Sequence, residues 1–531
     1  MSSETTAFYK KESKYWKGLQ EETSRKLKHL RSRLARSEEI ERENRELRLR
    51  VEKLEKEIAF LKKRLFGRKS EKIKEGTPAE KNRGRKTKRR GRRRGTAGSG
   101  RKVYDHLPTE ERQHDLAEEE KVCLYCGLPY GIFFKTEDSE EIDFETRVIR
   151  IVHHRRVYQK TCSCGKGRSL IVAPGPAKLI PKGLFTTNFW AHILVEKFHL
   201  QRPMCRVIES LRMHELELSQ GTLTGGLKRI KEQVIPFYEA ILLHNRESWH
   251  RHMDETSWRV FEDVEGKAGN KWWMWISLTS DSCVYHLDPS RSREVILDII
   301  GAEAHGVISS DRYPAYENVS DEIKSSWCWA HVRRDFDGIR EGIAELKVWS
   351  ETWLERIREL FKLNGQRVRH EVGSKDFQEY DLALRGKQKK MKRRIQEELY
   401  GEKGLHEEQK KALRSLEKHW DGLWLFLDYP EIPMDNNAAE RGLRNPVVGR
   451  KNYYGSGAEW SGLLAAMLFS IFATWKMAGL SPLEQMKNYL NACAENGGVA
   501  PKNLTPFLPW KTCGKTGWAS RDSPCLKKKG A

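Results

Sequence analysis

One short polar segment carries the residue types and spacing that most suggest chemistry. It begins at Asp435, reads DNNAAERGLR, and is followed at residues 447–453 by the basic sequence VVGRKNY. The pattern predicts a helix that carries Glu440, with Asp435 or Asn436 as its N-cap. Basic side chains within or after this helix could bind a phosphate. They are Arg444, Arg450 and Lys451.

Two aspartates far upstream could act together with Glu440. Asp254 lies inside a predicted strand, and Asp311 follows the apolar and serine run VISS at the end of another. To cleave or transfer a phosphodiester, the attacking oxygen must be activated and the leaving oxygen neutralised. Two divalent ions about 4 Å apart can do both. A few carboxylates are enough to hold Mg²⁺ or Mn²⁺. Glu255 is an alternative to Asp254, because successive strand residues face opposite ways.

The strands that must position these acids can be read from runs of Trp, Val and Ile between turns. We predict strands at residues 249–260, 271–278, 283–287, 306–310 and 326–329, and a helix at 291–300. Three strands with short turns, then a helix and a further strand, is the order of the ribonuclease-H-like α/β fold, in which the first and fourth strands are neighbours. A charged helical stretch predicts an insertion at 344–430 between core parts 246–343 and 431–490, with a tail at 491–531.

Length and charge indicate several domains and a polyanionic partner. The chain has 531 residues and a net charge of +23, so we predict that it binds double-stranded DNA. Residues 76–104 are predicted to be a basic disordered linker, because ten of the residues from Lys81 to Arg94 are Lys or Arg and none is acidic. The DNA-binding residues assigned to it are Arg89, Arg90, Arg92, Arg93 and Arg94.

Heptad spacing predicts a coiled coil in residues 1–75. Ile40, Leu47, Leu54 and Leu61 would occupy d positions, and Asn44, Val51, Ile58 and Leu65 the a positions. The g and e residues then pair with opposite charges across a parallel dimer, so we expect a homodimer or a higher oligomer. The alternative is a single solvated helix, whose alternating charges would need no partner.

Four cysteines predict a zinc-ribbon-like, DNA-binding domain at residues 105–175. The pairs are Cys123 with Cys126, and Cys162 with Cys164, joined by a predicted hairpin at residues 142–158. The second pair is spaced more tightly than is usual, and His153 and His154 are substitute Zn²⁺ ligands. The alternative is four ordinary thiols without metal.

Residues 176–245 are predicted to be a helical, helix-turn-helix-like domain. A helix over 222–234, capped by Ser219 or Thr222, would follow a turn at 217–222. A helix that only packs between domains is the alternative. The start of the chain lacks the layout of a signal peptide, and no run of about eighteen apolar residues occurs. We therefore expect a cytoplasmic, nucleoid-associated protein with no membrane partner.

Several strings together resemble the transposases of the insertion sequence 66 family, which are of the DDE type. They are LFGRKSEK at 65–72, DET at 254–256, SDRY at 310–313, CWAHVRR at 328–334, DNNAAER at 435–441 and GRKNY at 449–453. The resemblance implies that Asp254, Asp311 and Glu440 are the catalytic, metal-binding triad, and so favours Asp254 over Glu255. Cys328 and His331 are similar to a Cys-x-x-His element of other transposases, although a core pair explains them equally well.

The resemblance also implies a function. It predicts metal-dependent cleavage at the ends of an insertion sequence and transfer of the strand to target DNA, with small accessory proteins of the same element as possible partners. The alternative is a non-catalytic DNA-binding regulator, or a degenerate transposase that only binds. The order of zipper and basic tract argues against a basic-zipper regulator, because there the basic helix precedes the coil.

Overall fold

A computed structural model describes most of residues 12–51, the ranges 147–159, 170–263, 269–402 and 404–512, and isolated residues at 125, 128, 161 and 168. By contacts the chain forms two compact units, one of residues 1–67 with 148–531 and one of residues 68–147. Nearly all of the second unit lies outside the described residues. All the described helices and strands belong to the first unit.

The described secondary structure is mixed, with more helix than strand. The strands are β1 (Val157–Gln159), β2 (Leu170–Val172), β3 (His250–Arg259), β4 (Lys271–Leu278), β5 (Cys283–Asp288), β6 (Gly306–Ser310) and β7 (Ile323–Trp327). The helices before the insertion are α1 (Thr187–Leu194), α2 (Met204–Arg212), α3 (Gln220–Arg246), α4 (Arg293–Ile300) and α5 (Trp329–Gly342). Those that follow are α6 (Lys347–Arg367), α7 (Lys375–Tyr400), α8 (Glu407–Lys418), α9 (Trp420–Leu423), α10 (Asn437–Tyr453), α11 (Glu459–Met477), α12 (Pro482–Glu495) and α13 (Pro509–Thr512).

A five-stranded sheet forms the centre of the fold, with the strand order β5-β4-β3-β6-β7. The pairs β3–β4 and β4–β5 are antiparallel, whereas β3–β6 and β6–β7 are parallel. The first and fourth predicted strands are therefore neighbours, as expected. The fifth strand was predicted about three residues too late, because the chain already turns into α5 at Cys328.

Helix α11 closes one side of the sheet and covers its edge. It packs on β5, where Ser470 Oγ accepts from the Tyr285 N–H (2.7 Å) and Thr474 Oγ1 from the Cys283 N–H (3.1 Å). These hydroxyls satisfy backbone donors that an edge strand would otherwise leave unpaired. Among the described helices, α11 is long and apolar enough to cross a membrane by length and composition, but 67% of that window is buried inside the protein.

One hydrophobic core joins this side of the sheet to the helices that precede it. It contains residues of α1, α3, α11 and α12 together with β4 and β5. The 176–245 segment, which we expected to be a domain of its own, thus shares a core with the sheet. Helix α3 is longer than predicted and begins after Ser219, whose side chain accepts from the Thr222 N–H (3.2 Å).

A second core lies on the opposite side of the sheet and includes the helical insertion. It contains residues of α4, α5 and α6–α9, among them the fully buried Trp353. Arg367 ties the insertion together from inside, since it donates to the carbonyls of Phe426 (2.9 Å) and Leu427 (2.8 Å) and pairs with Asp381 (2.8 Å). The insertion is therefore packed against the sheet and not a loosely attached appendage.

Three predictions about the ends of the chain are corrected or left open. Residues 147–156 form no strand, and β1 instead pairs antiparallel with β2, so the hairpin spans the second cysteine pair.

The predicted tail is folded as far as residue 512: the Trp475 indole donates to Phe507 O (3.0 Å), and Trp510 stacks on His244. The described residues of 12–51 are helical and exposed, and the heptad positions after residue 51 lie outside the described residues.

Gly306 permits the close approach of β6 to β3. Its φ is +99°, and a Cβ there would lie 2.0 Å from Trp249 O, which accepts the Val307 N–H at 2.8 Å. We predict that Gly306→Ala lowers the free energy of unfolding by about 1–3 kcal/mol, because strain and a clash fall on the strand that leads to Asp311. Thermal unfolding followed by circular dichroism measures it.

Gly338→Ala is the matched control for this substitution. Gly338 lies inside α5, and nothing lies within 4 Å of a Cβ at that position. The control should leave the midpoint of unfolding unchanged or raise it slightly, since alanine is the better helix former. Equal effects of the two substitutions would contradict the role given to Gly306.

Candidate functional site

The register of two parallel strands brings Asp254 and Asp311 to the same place. His250 lies opposite Val307, and His252 lies opposite Ser309. Two residues further along, Asp254 and Asp311 occupy corresponding positions: Asp254 lies in the middle of β3, and Asp311 directly follows the carboxyl end of β6. In open α/β sheets, ligand sites lie beyond the carboxyl ends of the parallel strands, which is where Asp311 is found.

The two faces of β3 have different partners, and this distinguishes Asp254 from Glu255. On one face, His252 contacts Asn436, and Thr256 accepts from Arg450 (3.1 Å), so Asp254 lies between the two ends of α10. Glu255 points to the other face, where its carboxylate binds Arg291 and accepts from the Tyr316 hydroxyl (2.6 Å). Asp254 therefore faces the helix of Glu440, whereas Glu255 belongs to a buried ion pair.

Asn436 fixes the beginning of α10 on the sheet. Its side-chain amide donates to Met253 O (2.7 Å), so its Oδ1 accepts from Nδ1 of His252 (2.9 Å). Its own N–H donates to Sγ of Cys328 (3.1 Å), and the Cys328 N–H donates to Ser310 O (3.1 Å). Asn436 thus links the residue before Asp254 to the residue before Asp311. It occupies the predicted N-cap position, but Asp435 makes the local contact by accepting from the Asn437 N–H (3.1 Å).

Two residues of α10 bring the helix close to β4 and β5. A Cβ at Gly442 would lie 2.4 Å from Cδ1 of Ile276, so a larger residue would have to push the end of this side chain aside. Pro446 cannot donate to the carbonyl of Gly442 four residues earlier. The Tyr285 hydroxyl donates to that carbonyl instead (2.7 Å). Sequence reasoning missed both Asn436 as a clamp and Tyr285, although the proline inside a predicted helix was a usable signal for an outside donor.

Burial raises the pKa of both aspartates of the site. Burial raises the pKa of Asp254 to about 8, and the carboxylates of Glu255, Asp311 and Glu440 add to the rise. Burial also raises the pKa of Asp311, although the Tyr313 N–H and nearby arginines oppose the shift. A divalent cation would relieve this repulsion, and carboxylate oxygens are the ligands that Mg²⁺ and Mn²⁺ prefer.

Glu440 is held by two basic residues of α5. Its carboxylate pairs with Arg334, and its Oε1 lies 3.5 Å from Nε2 of His331. Within the described part of the chain, no three His, Cys, Asp or Glu side chains are grouped closely enough to hold a metal ion as they stand. The three acids therefore form one electrostatic cluster, in which Glu440 is turned toward α5.

The predicted phosphate-binding residues differ in their surroundings. Arg444 and Lys451 are exposed. Arg450 is half-buried and donates to the hydroxyls of Thr256 and Ser257 on β3, so it fastens the end of α10 to the sheet. The structure explains Cys328 and His331 as side chains that contact Asn436 and Glu440.

The remaining predicted ligands cannot be placed. Cys123, Cys126, Cys162 and Cys164 lie outside the described residues, as do the five arginines of the basic tether, Arg89, Arg90, Arg92, Arg93 and Arg94. His153 and His154 are described and are exposed.

The fold and the site define a class of protein: an α/β protein in which three acids cluster beside the carboxyl end of β6. The profile of the family described as Transposase IS66 family matches residues 182–463, more than half of the chain. The chain belongs to this transposase family. The matched region contains β3, β6 and α10, and hence all three acids.

Three relatives from Sinorhizobium fredii (strain NBRC 101917 / NGR234) are similar over most of their length. The uncharacterized protein y4jD is 25% identical over 432 residues, which cover 76% of this chain and 81% of the relative. The uncharacterized protein y4hP is 23% identical over 435 residues, covering 76% and 75%. The uncharacterized protein y4qI is 24% identical over 428 residues, covering 75% of each. No solved structure matches the chain.

Loss of the Asn436 clamp should loosen the site. We predict that Asn436→Ala costs about 1–3 kcal/mol for each of the two partners that it leaves unpaired, His252 and the Met253 carbonyl. It should also speed iodoacetamide labelling of Cys328, whose pKa burial raises to about 11. Mass spectrometry of the native protein measures that rate.

Asn437→Ala is the neighbouring control. In the described part of the chain, the Asn437 side-chain oxygen is buried without a hydrogen-bond partner. Its replacement should leave the labelling of Cys328 close to the wild-type rate. Equal labelling in the two variants would show that Asn436 does not hold this junction.

The raised pKa of Asp254 predicts a pH-dependent stability without added metal. A carboxyl that holds its proton more tightly when folded stabilises the fold at low pH and loses this contribution as the pH rises toward 8. The unfolding temperature in EDTA should therefore fall between about pH 5 and about pH 8. Asp254→Asn should flatten the profile, and an identical profile in this variant would refute the prediction.

Proposed function

We propose that this protein is a DNA transposase that binds the ends of an insertion sequence and catalyses metal-dependent strand cleavage and strand transfer. The observation that carries the proposal is the meeting of Asp254 and Asp311 in neighbouring parallel strands, facing the helix of Glu440. Membership of the IS66 transposase family agrees with it. In this proposal the three acids are the catalytic residues and the ligands of Mg²⁺ or Mn²⁺.

The fold proposed for the core is ribonuclease-H-like. Its support is the strand order β5-β4-β3-β6-β7, with three antiparallel strands followed by two parallel ones. The insertion separates α10 from the rest in sequence and packs on the far side of the sheet. This explains how Glu440 can lie far from Asp311 along the chain and yet reach the same edge.

Each group has a part in the proposed reaction. Two divalent ions, when bound, would supply the Lewis acidity that activates the attacking oxygen and neutralises the leaving one. Asp254 and Asp311 would hold them from the sheet and Glu440 from α10. Arg444 and Lys451 would bind DNA phosphates beside the site, where their exposure suits such contacts. Arg450 would position α10 by its contacts with β3.

Other parts of the chain would bind and align DNA. We propose that the N-terminal helical region forms a dimeric coiled coil, which would bring two DNA ends together. Its support is the exposure of Ile40, Leu47 and Val51, each about half exposed in a single chain. The basic tether would bind DNA nonspecifically, and the four cysteines would hold Zn²⁺ in a small DNA-binding domain. Accessory proteins of the same element remain part of this proposal.

Cleavage of DNA that carries the insertion-sequence ends tests the proposed activity. Purified protein should cut this DNA in Mg²⁺, and Asp254→Asn should reduce the rate about a thousandfold or more, because one ligand of a cooperating set is lost. Asp321→Asn removes an exposed carboxylate between β6 and β7 and is the matched control.

The outcomes separate an enzyme from a binding protein. Undiminished cleavage by the Asp254 variant would refute the assigned site. Sequence-specific binding to the ends, without cutting in Mg²⁺ or Mn²⁺, would instead favour a DNA-binding regulator or a degenerate transposase.

A further inference from the structure

We propose that Arg334 takes the place of a divalent cation beside Glu440 when no metal is bound, and that it binds a DNA phosphate when Glu440 exchanges it for the ion. The inference rests on the proposed metal site and adds a positioning residue to it. The proposed function gives roles to the three acids and to the basic residues of α10, but it gives none to Arg334, which pairs with Glu440.

Helix α5 places a guanidinium and an imidazole beside Glu440. It begins at the end of β7, where the N–H of Cys328 donates to Ser310 O, one residue before Asp311. His331 and Arg334 are three residues apart and so share one face of the helix. Both contact Oε1 of Glu440. The first turns of α5 therefore present basic groups to the candidate metal ligand.

Arg334 also acts on a second acid of the cluster. Its charge opposes the rise in the pKa of Asp311 that burial causes, as do the charges of Arg291 and Arg312. One guanidinium thus compensates part of the charge of both Asp311 and Glu440. A divalent cation shared by these acids would do the same, so arginine and cation compete for the same carboxylates.

A comparison with the neighbouring ion pair shows why the Arg334 contact can exchange. The Glu255 side chain is 1% exposed, and breaking its pair with Arg291 would leave a buried charge. The Glu440 side chain is 24% exposed, and that of Arg334 is 35% exposed. Separating Arg334 from Glu440 therefore costs less than separating Arg291 from Glu255, because solvent reaches both side chains of the first pair. The planar donors of Arg334 suit a phosphate.

This exchange predicts opposite effects on metal binding and on cleavage. Without Arg334, no guanidinium competes with the metal ion for the Glu440 carboxylate at this contact, so the metal should bind more tightly. Loss of a phosphate contact should slow the reaction at saturating metal. A residue that only supported the fold would weaken both properties together.

Calorimetric titration of the full chain with Mn²⁺ tests the first effect. Arg334→Gln should lower the Kd by roughly two- to fivefold, the range expected for a partly exposed ion pair. Arg334→Lys keeps the charge, so its Kd for Mn²⁺ should lie between those of Arg334→Gln and the wild type. It replaces the glutamine variant in the test if that variant does not fold. Arg340→Gln is the control, because Arg340 lies further along α5 and pairs with Asp337 (2.8 Å).

Cleavage of end-containing DNA at saturating Mn²⁺ tests the second effect. Arg334→Gln should be slower by about a hundredfold, as for the loss of one preorganised donor. An Mn²⁺ affinity that is unchanged or weaker in Arg334→Gln would overturn the inference. Failure of the proposed function looks different: the wild type would bind no Mn²⁺, or Asp254→Asn would bind it equally well.

Discussion

The rest of the structure depends on one electrostatic constraint: the negatively charged side chains of Asp254, Asp311 and Glu440 must be held near one another in a partly buried place. Burial raises the pKa of Asp254 to about 8, and repulsion from the neighbouring carboxylates adds to the rise. Asn436 holds the arrangement against this repulsion, because its amide joins α10 to β3 while its backbone contacts Cys328 at the end of β7. The hydrogen bonds of a neutral side chain thus hold α10, which carries Glu440, on the strand that carries Asp254.

The larger elements serve the same placement from both sides of the sheet. Helix α11 and the core around it support β4 and β5, and Tyr285 of β5 reaches α10 to satisfy the carbonyl that Pro446 leaves free. On the opposite side, the insertion supports α5, whose Trp329 donates to Leu423 O (2.6 Å). Because α5 carries Arg334, the insertion also fixes the basic face that contacts Glu440.

Local patterns predicted the strands well, and long-range contacts escaped them. The bounds 271–278 and 306–310 were correct, because apolar and β-branched runs end there at turn residues. The predicted adjacency of the first and fourth strands was also correct. The contacts of Asn436 and Tyr285 join residues more than a hundred positions apart, which no single-sequence periodicity reveals. The hairpin at 142–158 was misplaced because alternating side chains on exposed residues do not ensure pairing.

The central claim is that Asp254, Asp311 and Glu440 hold divalent ions together. A crystal structure of the protein with Mn²⁺, with an anomalous difference map to locate the metal, tests this claim most directly. We expect a peak bound by oxygens of Asp254 and Asp311 at about 2.0–2.3 Å, with Glu440 turned from Arg334 toward the metal. Fully occupied Mn²⁺ elsewhere, with none at these carboxylates and Glu440 still paired with Arg334, would contradict the account.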